Sequence, residues 1–293
     1  MTFAVEGLFP AKLTTVATED RYRSRLMAEA AARRAGITVG PVGDVDGLTR
    51  INRLFDTVWG GGGQDAVPVN MLKALAHTGN YVAGAWRSGA LIGAAVGFAH
   101  GPDHPALHSH IAGVMPAAHG TGVGYALKLH QAAWALDRGL TAVTWTFDPL
   151  IRRNARFNLV KLGGRIEAYY PDFYGPMADG INDGDMTDRC LLVWDLEGGI
   201  PASGTAASVP AGGVVVLSST APGAPLTRAA DPATRVILCQ TPPDVVELRR
   251  DHPDAAREWR LALRATLGQA LASGAVVSGL TAAGHYVVER TGG

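Results

Sequence analysis

Gly120, Gly122 and Gly124 alternate with Thr121 and Val123 immediately before a helical pattern, inside the run SHIAGVMPAAHGTGVGYALKLHQAAWALDR from Ser109 to Arg138. The first N–H groups of a helix have no acceptor inside it and sit at the positive end of its dipole, so they favour an anion. Glycines there remove the Cβ atoms that would hold a bulky anion away, which lets backbone amides close around a pyrophosphate. Spacing narrows the choice of ligand. A Walker loop needs Gly, four residues and then Gly-Lys-Ser/Thr, whereas the nearest lysine, Lys128, stands between Leu127 and Leu129. A dinucleotide fingerprint needs a third glycine where Tyr125 or Leu127 stands, depending on the glycine counted from. What is left is His119-Gly120-Thr121-Gly122-Val123-Gly124 after a strand ending in Val-Met-Pro.

The elements around this loop are readable in order. Apolar spacing and terminal charges predict helices over 18–34, 46–59 and 68–77, and strands over 37–42, 80–86, 90–99 and 104–115. Arg87-Ser88-Gly89 reads as the turn of a hairpin. Beyond the loop helix come a strand at 141–147, a helix at 150–162 and strands at 169–174 and 190–195. The four consecutive glycines Gly60 to Gly63 read as a loop costly to order, placed where a lid or entrance lip could move. From Leu196 to Gly213 the composition shifts to Gly, Ala, Ser and Pro, as in a linker. Past it, strands are predicted at 214–217, 235–240, 276–280 and 285–289, with a helix opened by Thr241-Pro242-Pro243-Asp244 and a longer one reaching Ala272. The reading is therefore an α+β fold with a mixed, mostly antiparallel central sheet flanked by helices and a smaller C-terminal α/β unit. Its predicted divisions are residues 1–196, a linker over 197–213 and a unit over 214–293.

Composition bounds the function. The 293 residues carry 26 basic and 26 acidic side chains, so no long-range attraction to nucleic acid or anionic membrane is implied and any anion site must be local. Cys190 and Cys239 lack the spacing of a metal site or a disulfide framework, so no metal is expected. No basic region precedes an apolar core at the N-terminus and no apolar run reaches the length of a membrane span, which suggests a cytoplasmic protein.

The loop from His119 to Gly124 resembles the Gln/Arg-x-x-Gly-x-Gly loop of the GNAT acyltransferase superfamily, with His119 at its first position. Further stretches resemble one group within it: Thr144 to Leu150, Arg153 to Leu159, Lys161-Leu162-Gly163, Tyr170 to Gly175, Asp179-Gly180-Ile181-Asn182 and Thr187-Asp188-Arg189. That group accompanies N-acylamino acid racemases of the o-succinylbenzoate synthase type. The resemblance also takes in 67–86 and Glu258-Trp259-Arg260, and is strongest from Ser109 to Trp194.

The resemblance implies coenzyme A, with acyl-coenzyme A as co-substrate, its diphosphate held by the amides of His119 to Tyr125. It implies transfer of a succinyl group to the amine of a small molecule such as an amino acid, and a pathway link to a racemase; a homodimer is compatible with it. Gly113, Val114 and Met115 fall where the strand before the loop pairs with pantetheine and offers an N–H to the thioester oxygen, with Gly113 easing a bulge. Asn154 joins the expected cofactor contacts. Many members use a Glu on that strand as base; here His110 is the substitute, with Asp148 as second candidate. The usual acid, a Tyr, falls at Leu159, leaving Tyr174 as the nearest phenol. Arg152, Arg153 and Arg156 cluster on one helix, and Arg153 is the expected partner of a substrate carboxylate. Two alternatives stand beside this reading: an acetyltransferase on another small amine, and a non-catalytic acyl-coenzyme A sensor or assembly subunit.

Overall fold

The computed structural model describes residues 16–59, 66–101, 104–175, 185–220 and 223–290. The expected lid at Gly60 to Gly63 and the matched stretch at Asp179 to Asn182 lie outside the described residues. The chain divides into two compact units, Met1–Thr144 with Asp195–Ile200, and Trp145–Trp194 with Pro201–Gly293.

The first unit runs α1 (Thr18–Arg34), β1 (Thr38–Pro41), α2 (Val45–Trp59), α3 (Val69–His77), β2 (Tyr81–Arg87), β3 (Ala90–Ala99), β4 (Ala106–Val114) and α4 (Val123–Asp137). β5 (Ala142–Phe147) begins in this unit and ends in the next. The strand order is β1-β2-β3-β4-β5, antiparallel except for β4 and β5, which pair in parallel. The periodicity of α2 puts Leu48, Ile51, Leu54 and Phe55 on one stripe, and these pack with Leu72 against Val82, Ala94 and Val96. On the other side α4 lies over β2, β3 and β4, with α1 against α4.

The second unit continues with α5 (Arg152–Ala155), which widens into a π-helical turn over Arg156–Lys161, then β6 (Arg165–Tyr170), β7 (Arg189–Asp195), β8 (Val214–Ser219), β9 (Pro225–Thr227) and β10 (Val236–Gln240). It closes with α6 (Val245–Asp251), α7 (Pro253–Leu263), α8 (Gln269–Ala272), β11 (Val276–Leu280) and β12 (His285–Glu289). A second sheet has the order β11-β12-β10-β8-β9, so the smaller C-terminal sheet expected from the sequence is present. The strand expected at 169–174 ends instead at Tyr170, because Pro171 has no N–H for a ladder and Asp172 takes a positive φ of 45°. The stretch 197–213 has no regular element but is not a free tether: Gly204 N donates to Val160 O and Ala207 N to Leu280 O.

What ties residues 145–194 to the C-terminal residues is charge. The turn after β5 carries Asp148, and its two oxygens accept from Arg260 at 2.9 Å each, while Arg249 reaches one of them. Asp185 accepts from Arg260 at 2.8 Å and from Arg249 at 3.1 Å, and all four side chains are buried. Burial alone would raise the Asp148 pKa, but Arg260 and then Arg249 outweigh it and hold the carboxyl far below the usual carboxylate range. Nearby, Arg264 and Tyr169 both donate to the carboxylate of Asp188.

Removing one member of such a cluster strands buried charge, at a cost of about 3–5 kcal/mol. Asp148→Asn is therefore expected to lower the unfolding free energy from urea denaturation by that amount at pH 7. Because the folded-state pKa is depressed, the stability from Asp148 is present above the ordinary carboxylate pKa and lost as pH falls below it. Acid titration of wild type should accordingly fall more steeply below about pH 4 than that of the variant; parallel curves would remove Asp148 from the stability balance.

Candidate functional site

After β4, Met115 leads into a 3-10 turn over Pro116–Ala118, and the chain reverses through His119 to Gly122 into α4. Gly120 and Gly122 have φ of 75° and 88°, where a Cβ would clash with its own backbone, so the turn itself demands them. Gly124 is different. Its φ is ordinary and a Cβ would meet nothing nearer than Val114 Cγ2 at 3.7 Å, so neither conformation nor packing requires glycine there.

The amides of the loop fall into two sets. His119 N donates to Pro116 O and Thr121 N to Ala118 O, so these two are satisfied by the turn. The N–H groups of Gly120, Gly122, Val123 and Gly124 find no acceptor among the described residues, and α4 has no side-chain cap. They form a cluster of unpaired donors at a helix start, with Gly120 and Gly122 exposed. Tyr125 sits half-buried in the first turn of α4. Lys128 turns the other way, into the packing, where its Nζ donates to Ser109 Oγ at 2.8 Å and burial brings its pKa down to about 7.

A cation stands at this loop that local sequence reading misses. Arg87, at the end of β2, donates through Nη2 to Ala35 O at 2.9 Å and to Thr121 Oγ1 at 3.3 Å. No carboxylate pairs with it among the described residues, so its charge is available to an anion at the loop. Arg-Ser-Gly reads as a hairpin turn, and nothing within its neighbourhood in the chain points to a partner 34 residues away. His119, by contrast, folds back: its Nε2–H donates to Val114 O at 3.0 Å, bracing the turn.

On β4 the structure corrects the expected position of the bulge. Val96 pairs with Ile111 and Gly97 with Ser109, so His110 is the extra residue, while Gly113 pairs regularly with Ala94. Gly113 is glycine because Trp59 lies against it, where a Cβ would come within 2.8 Å of the ring. The amide of Met115 is already bonded to Ile92 O at 2.9 Å, and the carbonyl of Val114 to His119, so Met115 N–H is not a free donor for a thioester oxygen. His110 is exposed, beside the rings of Phe98 and His108, and partial desolvation lowers its pKa, leaving the imidazole neutral near pH 7.

The first unit thus carries His110, Gly113 to Met115 and His119 to Tyr125, while Asp148, Arg153, Asn154 and Tyr174 belong to the second. Asp148 is locked in the ion cluster, and a carboxylate held by two guanidiniums is a weak base, so its second-candidate role is not supported by its surroundings. Tyr174 is exposed and shares a hydrogen bond of 2.9 Å between its OH and Thr146 Oγ1. Of the three arginines, Arg152 is anchored on Thr241, whereas Arg153 and Arg156 are exposed without a partner among the described residues. Asn154 is half-buried, its backbone N–H donating to Ile151 O. Among the described residues no three His, Cys, Asp or Glu side chains gather as a metal ion would require, and no helix is long and apolar enough to cross a membrane.

No family model matches the chain, and no curated protein matches it. Among solved structures, the chain is similar to the ribosomal-protein-S18-alanine N-acetyltransferase of Escherichia coli at 13% identity, covering 59% of this chain and 97% of that one with a TM-score of 0.44. An N-acetyltransferase from Staphylococcus aureus Mu50 aligns at 10% identity over 54% of this chain and 98% of that one, with a TM-score of 0.46. A GNAT-family acetyltransferase from Streptococcus pneumoniae aligns at 10% identity over 54% and 98%, with a TM-score of 0.44.

The contrast between the glycines is testable. Gly120→Ala forces a side chain into positive φ and should cost about 1 kcal/mol, whereas Gly124→Ala should stabilise by up to about 1 kcal/mol through helix propensity. Inorganic pyrophosphate should raise the thermal midpoint of wild type, and the rise should shrink in Gly124→Ala despite its greater stability. An equal rise in both would place the anion elsewhere.

Proposed function

We propose that this chain is an acyl-coenzyme A-dependent N-acyltransferase of the GNAT type, with residues 1–196 as its coenzyme-binding part. The single observation that supports it most is the set of unpaired amides of Gly120, Gly122, Val123 and Gly124 at the start of α4. They suit a diphosphate, and Arg87 adds a fixed positive charge beside them. Coenzyme A, when bound, supplies the activated thioester. We place the donor as succinyl-coenzyme A, the acceptor as the amino group of a small molecule such as an amino acid, and the setting as cytoplasmic, alongside a racemase acting on N-acylamino acids; a homodimer fits the same reading.

In the proposed reaction the acceptor arrives as an ammonium ion. The neutral imidazole of His110 takes one proton, and the freed nitrogen lone pair attacks the thioester carbonyl carbon. As the C–N bond forms and the C–S bond breaks, the thiolate leaves, and the proton lost by the nitrogen ends on the coenzyme thiol. The bulge at His110 supports this role, since an extra residue in a ladder re-aims a side chain without breaking the strand. Arg153, exposed and without a carboxylate partner among the described residues, is the proposed partner for the carboxylate of a dicarboxylic donor. One observation favours the binding-only alternative: the amide of Met115, one of three residues expected to offer an N–H to the thioester oxygen, is already used by Ile92.

Turnover separates the two. His110→Gln should lower kcat/KM for acyl transfer by about 10² or more while leaving coenzyme A affinity unchanged. With its pKa below the ordinary histidine value, the enzyme contribution to kcat/KM should rise with pH and level off before pH 7, any further rise belonging to the amine. Arg153→Ala should weaken succinyl transfer more than acetyl transfer. Coenzyme A binding without product across a broad amine panel would instead make the chain a sensor, and equal losses on both donors would remove Arg153 from donor selection.

A further inference from the structure

A cavity of about 590 Å³ opens within the first unit, between α1, the second half of α4 and the β1–β2 pair, a volume in the range of small-molecule sites. It is lined by Ala28 and Ala32, one turn apart on α1, by Tyr81 on β2, and by His130, Ala133 and Trp134 on α4. Alanines at that spacing hold the helix close while leaving room beneath it.

The polar groups in this lining are arranged for one task. Tyr81 is buried and its hydroxyl, kept protonated by burial, has no partner among the described residues other than His130 Nδ1 at 2.9 Å, so its O–H donates there rather than being left buried and unpaired. Burial lowers the His130 pKa, against a smaller opposing effect of Asp137, so the ring is neutral and its remaining proton resides on Nε2. That N–H has no acceptor among the described residues. The cations at the rim, meanwhile, face solvent. Arg25 pairs with Asp137 at 2.8 Å, Arg33 with Glu29 at 3.5 Å, and Arg138 lies over the Trp134 ring at 3.8 Å. A strongly charged ligand would leave water for a cavity whose countercharges are exposed at its rim, whereas a neutral one meets apolar walls and the His130 donor.

We propose that this cavity is a second small-molecule site, separate from the loop at the start of α4, which takes an uncharged, ring-sized compound whose carbonyl or hydroxyl oxygen accepts from His130 Nε2. The proposal does not depend on acyl transfer, and holds whether or not coenzyme A binds the loop.

The test is a titration of the full chain followed by NMR of the Trp134 indole and the His130 ring, with benzamide as the neutral acceptor probe. Toluene serves as the ring without an acceptor, and benzoate and benzylammonium as the charged comparators. Benzamide should move both signals saturably, and each of the others should bind several-fold more weakly. His130→Phe should weaken benzamide several-fold, and Ala32→Leu, which fills the space from a half-buried position, should abolish binding; both are checked for folding by thermal midpoint. If His130→Phe unfolds because Tyr81 loses its acceptor, Ala32→Leu carries the test alone. No saturable shift with any probe, equal binding of toluene or a charged probe, or benzamide binding unchanged in Ala32→Leu would overturn the site.

Discussion

A turn that must use positive φ at Gly120 and Gly122 delivers α4 with the N–H groups of Gly120, Gly122, Val123 and Gly124 unpaired among the described residues. Gly120 and Gly122 are exposed and Val123 and Gly124 are not, and a helix start without a cap keeps a demand for negative charge. The surroundings do not relieve that demand: His119 is turned back to Val114, Lys128 is turned inward to Ser109, and Arg87 adds a further positive charge at Thr121. The side chains at the loop reinforce its preference for an anion rather than competing for it.

The second unit solves a different problem. Its carboxylates on 145–194 and its arginines on α6 and α7 are buried together, two against two, so each charge is neutralised within hydrogen-bond distance. Tyr286 adds a hydrogen bond of 2.7 Å to Pro149 O, next to Asp148. The C-terminal residues therefore hold the turn that follows β5. Their contribution is to shape, and the same cluster that fixes Asp148 removes it from proton transfer.

Much of this was legible in the chain itself. Local chemistry predicted α1 over Thr18–Arg34 from its terminal charges, α2 from its apolar stripe and α4 from its glycine entrance. Asp244 caps α6 as its Pro-Pro-Asp opening suggests. What was not legible depends on pairing across long sequence separations. The bulge sits at His110 and not at Gly113 because register is set by β3, and Gly113 answers to Trp59 on α2. Arg87 reaches the loop from a hairpin, and Asp148 meets Arg260 across 112 residues. The Gly-Ala-Ser-Pro composition of 197–213 reads as a linker, but composition carries no information on whether such a segment is pinned, as Gly204 and Ala207 are.

The central claim concerns four amides and a diphosphate, and amide resonances report on it directly. In a titration of isotopically labelled full-length protein with coenzyme A, the N–H signals of Gly120, Gly122, Val123 and Gly124 should move together and saturate, while pantetheine, which lacks the phosphates, should leave them in place. Signals that stay put at saturating coenzyme A, or that move equally with pantetheine, would contradict it.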